Sequence, residues 1–444
     1  MERLKVKELK EWANDKTRKP LIIWGARQVG KTYLIKNLFL EENYKSYVYI
    51  DLMKEQDDNS FFSTTNRPED YLNYIELKYN LRPNKDIPLV FDEVQFCPNV
   101  ISTLKYFCQD FREIPVIATG SMVRLSLESK PNNFMFPVGK IDSIYLYPMN
   151  FEEYLLNTNK VLLERIKQAY KNKTPLLDYE HDKAIDLLYE YLSIGGMPEV
   201  VDSFIKNKSY IDAIKIRKEL YDNYIDDMAS YNTSQEMIIK TRNIYKNIFN
   251  QLNKTNENFK IGLIEKGKSN RDYFNAYRWL ENANIIYRSN RKNGNVTLPL
   301  IDEESGLFRL YLFDVGLFSY QSKISDIDFF VKDKRNTLSG IFYENYVASE
   351  FASKGIPLFY WTGKDDHEFE FLVENKGHII PIDVKKNKGK LNSLDDFRNS
   401  NTKYLAIKIS QNNYGYDKDK MILTIPLYET FLLAKDIIEN NDLV

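Results

Sequence analysis

The stretch "IIWGARQVGKTYLI", residues 22–35, carries two glycines five positions apart, with a lysine and a threonine directly after the second. Gly25 and Gly30 allow backbone N–H groups to converge on phosphate oxygens, and a helix that starts behind them adds its positive dipole end. Lys31 can neutralise the β and γ phosphates, and the Thr32 hydroxyl can bind Mg²⁺. The spacing predicts a cradle for a nucleoside triphosphate and its magnesium ion.

The expected nucleotide contacts lie in the glycine loop and in the first turn behind it. They are Gly25, Ala26, Arg27, Gln28, Val29, Gly30, Lys31, Thr32 and Tyr33. A chance glycine turn is the alternative, and the match of every fixed position of the motif argues against it.

A second apolar run, "IPLVFDEVQ" (87–95), ends in two adjacent acids. Asp92 is expected to bind the nucleotide and orient the metal ion, and Glu93 to polarise the attacking water as general base. Taken alone, such a pair is often an exposed turn. Together with the glycine loop, it favours a hydrolytic site.

A third apolar run, "IPVIATGSMVRL" (114–125), ends in hydroxyl-bearing residues. Because nucleotides in open α/β sheets bind at the carboxyl ends of the strands, Thr119 or Ser121 is a candidate sensor of the γ phosphate or the water. The alternative is an ordinary turn in which Ser121 caps the next helix.

A further group of candidate residues lies near the C-terminus. In "HEFEFLVE" (367–374), alternation places Glu368 and Glu370 on one face of a strand, and in "HIIPIDVKK" it places Asp383 and Lys385 on one face of the next. Two paired strands would bring these acids and the lysine to one patch. The alternative is the solvent-facing side of a hairpin.

An acid also interrupts the apolar stripe of a predicted helix, "SGIFYENYVASEFA" (339–352). Glu344 lies on the same stripe as Ile341, Ala348 and Phe351. An acid at such a position is either near an edge of the core or functional.

The elements that position these residues can be read from periodicity. "PLIIW" (20–24) is short, apolar and typical of a strand buried on both faces, and "YLIKNLFLEE" has helical apolar spacing. Further on, Ser269 and Asn270 are candidate caps of a helix over "RDYFNAYRWLENA", which a β-like "NIIYRSNR" follows. Arg271 and Arg278, seven apart, are expected on one side of that helix.

Composition limits the partners. The chain of 444 residues is 43% hydrophobic and 28% charged, which predicts several folded domains. Residues 240–292 hold twelve Lys or Arg against four acids, an excess that favours phosphate contacts with DNA, although solubility or a protein-facing module would also explain it. Two cysteines and three histidines argue against a disulfide framework or a Cys/His zinc site. Since no apolar run approaches the length of a membrane span, a cytoplasmic location without a membrane is expected.

Five segments, in order, resemble a family of prokaryotic ATP-binding proteins: "GARQVGKT" (Walker A), "LVFDEVQ" (Walker B), "ATGS", "VGKIDSIYLYPMNFEEYL" and "SIGGMPEVV". These proteins have an AAA+-type ATPase domain related to the STAND and archaeal ATPase group, followed by a poorly understood C-terminal region. The resemblance implies ATP and Mg²⁺ as cofactors. It also implies a lid turn at Gly195, Gly196 and Pro198. The family usually has an arginine where this chain has Lys140.

Two further resemblances concern the second half of the chain. Residues 259–291 resemble a winged helix, which implies a helix that enters the major groove of DNA. The C-terminal strands resemble the PD-(D/E)xK nuclease fold, with Glu370 as first acid and Asp383-Val384-Lys385 as the second element. In such folds the acids bind Mg²⁺ and the lysine activates water, which implies Glu344, Glu370 and Asp383 as metal ligands and Glu370, Asp383 and Lys385 as catalytic residues. The usual Asp and Glu are exchanged here.

The sequence therefore predicts a multidomain α/β chain. Its expected parts are a P-loop AAA+-type ATPase domain with a parallel sheet (1–160), a helical lid (161–235), a winged-helix-like domain (236–300) and a restriction-endonuclease-like α/β domain (301–444). The predicted function is Mg-ATP hydrolysis that drives conformational change of DNA-binding and nuclease-like domains. The alternative is a nucleotide-regulated DNA- or protein-binding regulator with an inactive nuclease fold. A homo-oligomer or a protein partner stays open.

Overall fold

The computed structural model describes residues 1–120, 135–231, 234–254, 257–301, 306–323, 339–363, 367–385, 392–401 and 404–444. The chain folds into two units. The first comprises Met1–Pro148 and Asn282–Asn284, and the second Met149–Glu281 and Ile285–Val444. The predicted four-part division is finer than this and stays a prediction.

The first unit contains one parallel sheet of five strands. They are β1 Leu21–Trp24, β2 Val48–Asp51, β3 Leu89–Asp92, β4 Val116–Gly120 and β5 Asp142–Tyr145, in the order β2-β3-β4-β1-β5. All neighbouring pairs are parallel. Every residue of β1, β3 and β4 is buried, as their short apolar sequences predict. Because β4 lies between β1 and β3, the carboxyl ends of these three strands meet at one edge.

Helices cover the sheet of the first unit. They are α1 Lys5–Asn14, α2 Lys31–Ile35, which continues as a π-helical turn Lys36–Leu40 and as α3 Glu41–Asn43, α4 Gln56–Phe62, α5 Pro68–Tyr79, a 3₁₀ turn Val94–Phe96 and α6 Pro98–Asp110. Proline starts α5 and α6, where its missing N–H has no intrahelical partner to lose. Phe62, Tyr71 and Phe91 pack edge to face or tilted in the core below β3.

The second unit begins with helices. They are α7 Phe151–Thr158, α8 Lys160–Asn172, α9 Asp178–Ile194, α10 Pro198–Asn207, α11 Tyr210–Tyr231 and α12 Gln235–Leu252. The later ones are 3₁₀ turns Ile261–Leu263 and Asn270–Tyr273, α13 Phe274–Asn282, α14 Val315–Ser322, α15 Ser339–Ser353, α16 Asn392–Ser400, a 3₁₀ turn Leu427–Glu429 and α17 Thr430–Glu439. Within the described ranges, no helix combines the length and the apolar character needed to cross a bilayer.

Two sheets complete the second unit. The strands are β6 Ile286–Asn293, β7 Phe308–Leu312, β8 Phe359–Thr362, β9 Glu368–Phe369, β10 Phe371–Asn375, β11 His378–Lys385, β12 Ala406–Ser410, β13 Gly415–Asp417 and β14 Ile422–Pro426. One sheet has the order β7-β6-β8-β9 and the other β10-β11-β12-β14-β13. The β-like segment predicted after α13 is β6, and it pairs with both β7 and β8. Strands from both sides of residue 300, the predicted domain boundary, therefore pair in one sheet.

The predicted C-terminal hairpin is confirmed, with one correction. β10 pairs antiparallel with β11, so that Phe371 lies opposite Ile382. The correction is that β9 and β10 replace one continuous strand, because the strand is interrupted at Glu370. Burial follows the predicted faces: Phe369, Phe371 and Val373 are buried, Glu368 and Glu370 are partly exposed, and Leu372, the one exception to the alternation, is buried as well. Both faces of β10 are covered, and alternation is expected only where one face meets water.

The turn "IGGMP" is tightly packed inside the second unit. Gly195 caps α9 with φ of 81°, and a Cβ at Gly196 would stand 1.9 Å from the carbonyl oxygen of Met149. The Gly196 N–H donates to Asp314 Oδ2 at 2.7 Å. Gly195 thus ends α9, and α10 begins at Pro198. This packing explains why both glycines are needed.

Candidate functional site

The glycine loop lies between the end of β1 and the start of α2, as predicted. Gln28 and Gly30 have φ of 62° and 91°, which turns the backbone sharply before the helix. A Cβ at Gly25 would stand 2.4 Å from the carbonyl oxygen of Leu146. Only glycine fits at Gly25 without a shift, and the loop keeps the open curve that a phosphate requires.

The ammonium of Lys31 is enclosed by this loop. Its Nζ donates to the carbonyl oxygens of Gly25 and Ala26, at 3.1 and 3.0 Å, and the residue is only 5% exposed. Burial lowers the pKa of Lys31, whereas Glu93 and Asp92 act in the opposite sense. A bound polyphosphate would add the negative charge that this buried cation needs.

Asp92, at the end of β3, is the centre of a hydroxyl cluster. Its Oδ2 accepts from Thr32 Oγ1 at 3.1 Å and from the Tyr49 hydroxyl, and its Oδ1 accepts from Thr119 Oγ1. The structure thus brings together the predicted residues Thr32 and Asp92, a hydroxyl and a carboxylate, which are oxygen ligands suited to Mg²⁺. Ser121, the other sensor candidate, lies outside the described residues.

Glu93 follows Asp92 in a left-handed conformation, with φ of 55°. Its N–H donates to Asp92 Oδ1 at 3.1 Å, and its carboxylate accepts from the Gln95 side chain. A positive φ at a non-glycine residue costs energy and persists only when the surroundings hold it. One bond joins the Glu93 backbone to Asp92, and the other holds its carboxylate at Gln95.

Two contributors to this site were not predicted. Tyr49, in β2, reaches Asp92 from the neighbouring strand, and burial followed by the charge of Asp92 raises the pKa of its hydroxyl. Arg3 donates from Nη1 to the Val29 carbonyl and from Nη2 to the Tyr147 carbonyl, both at 2.8 Å. An arginine in a charged amphipathic segment is usually solvated, so no sequence signal distinguishes Arg3.

This geometry fits Mg-ATP. Mg²⁺ in phosphate sites is typically held by one or two protein oxygens together with the phosphates, and Thr32 and Asp92 supply such oxygens. In the described part of the chain, no group of three or more His, Cys, Asp or Glu residues is arranged to hold a metal by itself.

In the second unit, the predicted residues Glu370, Asp383 and Lys385 meet. Lys385 Nζ lies 2.9 Å from Asp383 Oδ1 and 3.5 Å from Glu370 Oε1. The Val384 N–H donates to Glu370 Oε2 at 2.7 Å, which joins the two acidic segments. Burial, and then Glu370, raise the pKa of Asp383 to about 7, although Lys385 opposes this. Glu370 and Asp383 raise the pKa of Lys385.

Glu344 bonds to residues outside this group, and its role as a metal ligand stays a prediction. Its Oε1 accepts from Arg309 Nη1 at 3.0 Å and from the Tyr311 hydroxyl. Arg309 also meets Glu257 Oε2 and Glu368 Oε2, each at 2.7 Å. Arg309 was not predicted, because a lone arginine in an apolar strand carries no motif. We refer to Arg309 with Glu257, Glu344 and Glu368 as the arginine cluster.

The basic segment is only partly available to a partner. Ser269 caps the 3₁₀ turn through reciprocal bonds with Asp272, as its sequence position suggests. Arg271 lies in this turn and Arg278 in α13, and both are exposed; that they lie on one side of the helix stays a prediction. Arg288 is paired with Glu281. Among the described residues of 240–292, the exposed cations are Lys246, Lys254, Lys260, Lys266, Lys268, Arg271 and Arg278.

Three family models match the chain. Residues 17–155 match one described as an AAA domain. Residues 185–328 and 339–428 match two described as domains of unknown function, DUF8612 and DUF4143. The first match and the parallel sheet with its phosphate loop support an AAA-type P-loop ATPase domain in the N-terminal part.

Individual relatives add little about function. An uncharacterized protein of Methanocaldococcus jannaschii is 23% identical over 371 residues, which span 80% of this chain and 72% of that protein. Two structures of the Aeropyrum pernix ORC2 protein, one in the ADP form and one in ADPNP–ADP complexes, are each 13% identical and cover 70% of this chain and 90% of theirs. Their TM-scores of 0.29 and 0.26 are too low to carry an argument.

Proposed function

We propose that this protein binds and hydrolyses Mg-ATP in its first unit and that the nucleotide state changes the conformation of the second. The observation that carries the proposal is the convergence of Lys31, Thr32, Asp92 and Glu93 at the carboxyl ends of β1 and β3. Nucleotides bind at this edge of open α/β sheets.

Each residue has a role in this proposal. The N–H groups of residues 25–33 hold the phosphates, and Lys31 neutralises the charge that develops on them. Thr32 and Asp92 would hold Mg²⁺, which stabilises that charge when bound. Glu93 takes a proton from the attacking water. Ser121 stays a candidate sensor, and Thr119 now has a stronger claim because it bonds to Asp92.

Coupling is the less direct part of the proposal. A nucleotide shifts a conformational equilibrium only if it binds two conformations unequally. We propose that ATP and ADP favour different conformations and that the second unit presents its winged-helix-like segment to DNA in one of them. The exposed cations around Arg271 support DNA as the partner. A cytoplasmic location belongs to the same proposal.

Calorimetric titration of the full chain with ATP, in the presence and absence of Mg²⁺, tests the first part. We expect saturable binding of ATP that Mg²⁺ strengthens, and release of phosphate on incubation. Well-folded protein that takes up no adenine nucleotide would contradict it. Fluorescence anisotropy of labelled duplex DNA, measured with ATP and with ADP, tests the coupling. Equal affinities for DNA with the two nucleotides would contradict it.

A second candidate function is a nucleotide-regulated DNA- or protein-binding regulator with an inactive nuclease fold. The bonding of Glu344 to Arg309 favours it, since this carboxylate is then no free metal ligand. Incubation of plasmid DNA with Mg²⁺ or Mn²⁺ separates the two functions. Nicking by the wild type that Asp383→Ala and Lys385→Ala abolish would establish a nuclease. No nicking with any metal, with or without ATP, would support the regulator.

A further inference from the structure

Arg309 is a cation of the second unit that is almost fully enclosed and has several carboxylate partners. Its side chain is 2% exposed, and its guanidinium lies 4.5 Å from the centre of the Tyr360 ring. Its carboxylate partners come from three different places in the chain: the segment before the basic turns, helix α15 and strand β9. Arg309 therefore holds the arginine cluster together.

The cation and the carboxylates of this cluster depend on each other. An arginine keeps its charge under all physiological conditions, so it has to be buried with partners. Burial, followed by the charge of Glu344, raises the pKa of Glu257 to about 9, and Arg309 acts against this rise. Without Arg309, the buried Glu344 and the partly exposed Glu257 and Glu368 would lose the guanidinium that pairs with all three, and a divalent cation stabilises such a group of carboxylates.

The cluster adjoins the nuclease-like residues. Glu368, which pairs with Arg309 at 2.7 Å, stands two positions before Glu370, which pairs with Lys385 at 3.5 Å. On the other side Glu370 and Asp383 meet Lys385. Each of the five acids at this edge is thus within ion-pair distance of Arg309 or of Lys385.

We propose that Arg309 is the resident counter-ion of this acidic site and takes the position of the divalent metal that a nuclease of this shape would use. A metal ion needs carboxylate oxygens at direct bonding distance. Here the guanidinium N–H groups already donate to those oxygens. The residues present do not fit a metal centre that includes Glu344. The inference rests on the regulator form of the proposed function and names the residue that keeps the site inactive.

Binding of Mn²⁺ alone to the nucleotide-free full chain tests this proposal. The variants are Arg309→Gln, which removes the charge, Arg309→Lys, which keeps it, and Arg309→Gln with Glu344→Gln, which also removes the freed ligand. We expect Arg309→Gln to bind Mn²⁺ at least roughly tenfold more tightly than wild type and to gain thermal stability from it. Arg309→Lys and the double variant should behave as wild type does.

Two results would overturn the proposal. One is tight Mn²⁺ binding by the wild type that Asp383→Asn abolishes, and the other is no gain of Mn²⁺ affinity in Arg309→Gln. If Arg309→Gln does not fold without metal, recovery of folded protein on refolding with Mn²⁺ is the expected result, and no recovery counts against the proposal. Because no nucleotide is present, failure here is distinct from failure of the ATPase proposal, which ATP titration measures separately.

Discussion

The two candidate sites use the same residue types in opposite ways. In the first unit, Lys31 donates to carbonyl oxygens and Asp92 accepts from hydroxyl groups and a backbone N–H. In the second unit, the carboxylates of the arginine cluster bond directly to a guanidinium. A cation and a carboxylate that are near each other but not bonded to each other can still bind a charged ligand. A cation that carboxylates enclose is already neutralised.

The largest expected effect concerns turnover in the first site. Glu93→Gln keeps the size of the side chain but removes the proton acceptor, so ATP hydrolysis should fall by about a hundred- to ten-thousand-fold while ATP binding is retained. Phosphate release and calorimetry, run on the same preparation, measure the two properties. Gln95→Ala is a useful companion, because it removes the bond that the Glu93 carboxylate accepts from the Gln95 side chain. Equal turnover of Glu93→Gln and wild type would exclude Glu93 as the base.

The next effect concerns charge in the same site. Lys31→Ala leaves the phosphates without their ammonium, and ATP affinity should fall by at least about a hundredfold. Lys45→Ala, at an exposed position of the same unit, is the matched control and should bind as wild type does. If Lys31→Ala binds ATP normally, the loop is not a phosphate cradle and the comparison with the arginine cluster fails.

Glu350 is a buried carboxyl group whose hydrogen-bond donors are a backbone N–H and a side-chain amide. Glu350 accepts from the Phe151 N–H and from Asn150, and burial raises its pKa from 4.5 to about 7, while Lys354 opposes the shift and Glu152 adds to it. Its folded pKa is the higher one, so its contribution to stability is complete below about pH 4.5 and is lost as pH rises through 7. We expect Glu350→Gln to abolish this pH-dependent loss of the free energy of unfolding, which amounts to up to about 3 kcal/mol.

Thermal unfolding at pH 5 and pH 8 measures this. The wild type should lose stability relative to Glu350→Gln between these values, and the exposed Glu439→Gln should follow the wild type. The same difference between wild type and Glu350→Gln at both pH values would show that Glu350 does not titrate in this range.

The smallest effect concerns Arg3, which braces the phosphate loop from outside. Arg3→Ala removes two bonds to carbonyl oxygens, so the loop should lose order and the KM for ATP should rise by roughly tenfold with kcat little changed. Arg3→Lys restores the charge but only part of the fork geometry and should give an intermediate KM. Loss of stability without any change in KM would make Arg3 a purely structural residue.

Sequence reasoning was strongest where chemistry is local. The loop between β1 and α2, the acids at the end of β3 and the hairpin of β10 and β11 each depend on neighbours within a few positions. It was weaker for Arg271, since a 3₁₀ turn and an α-helix begin with similar residues. It also did not explain why Leu372, the exception to the alternation, is buried, because the covering of both faces of β10 is not encoded in the strand itself.

The amino-acid sequence alone identified the residues that can bind phosphate and magnesium, and the lysine that resembles that of a nuclease. These features depend on residue type and on backbone geometry over short spans. The residues that pair with these charged groups became known only from the folded structure. Arg3 reaches Val29 across 26 positions, Tyr49 reaches Asp92 across 43, and Arg309 reaches Glu344 across 35. Such partners have no fixed spacing, since packing of strands and helices brings them together, and the electrostatic state of each site depends on them.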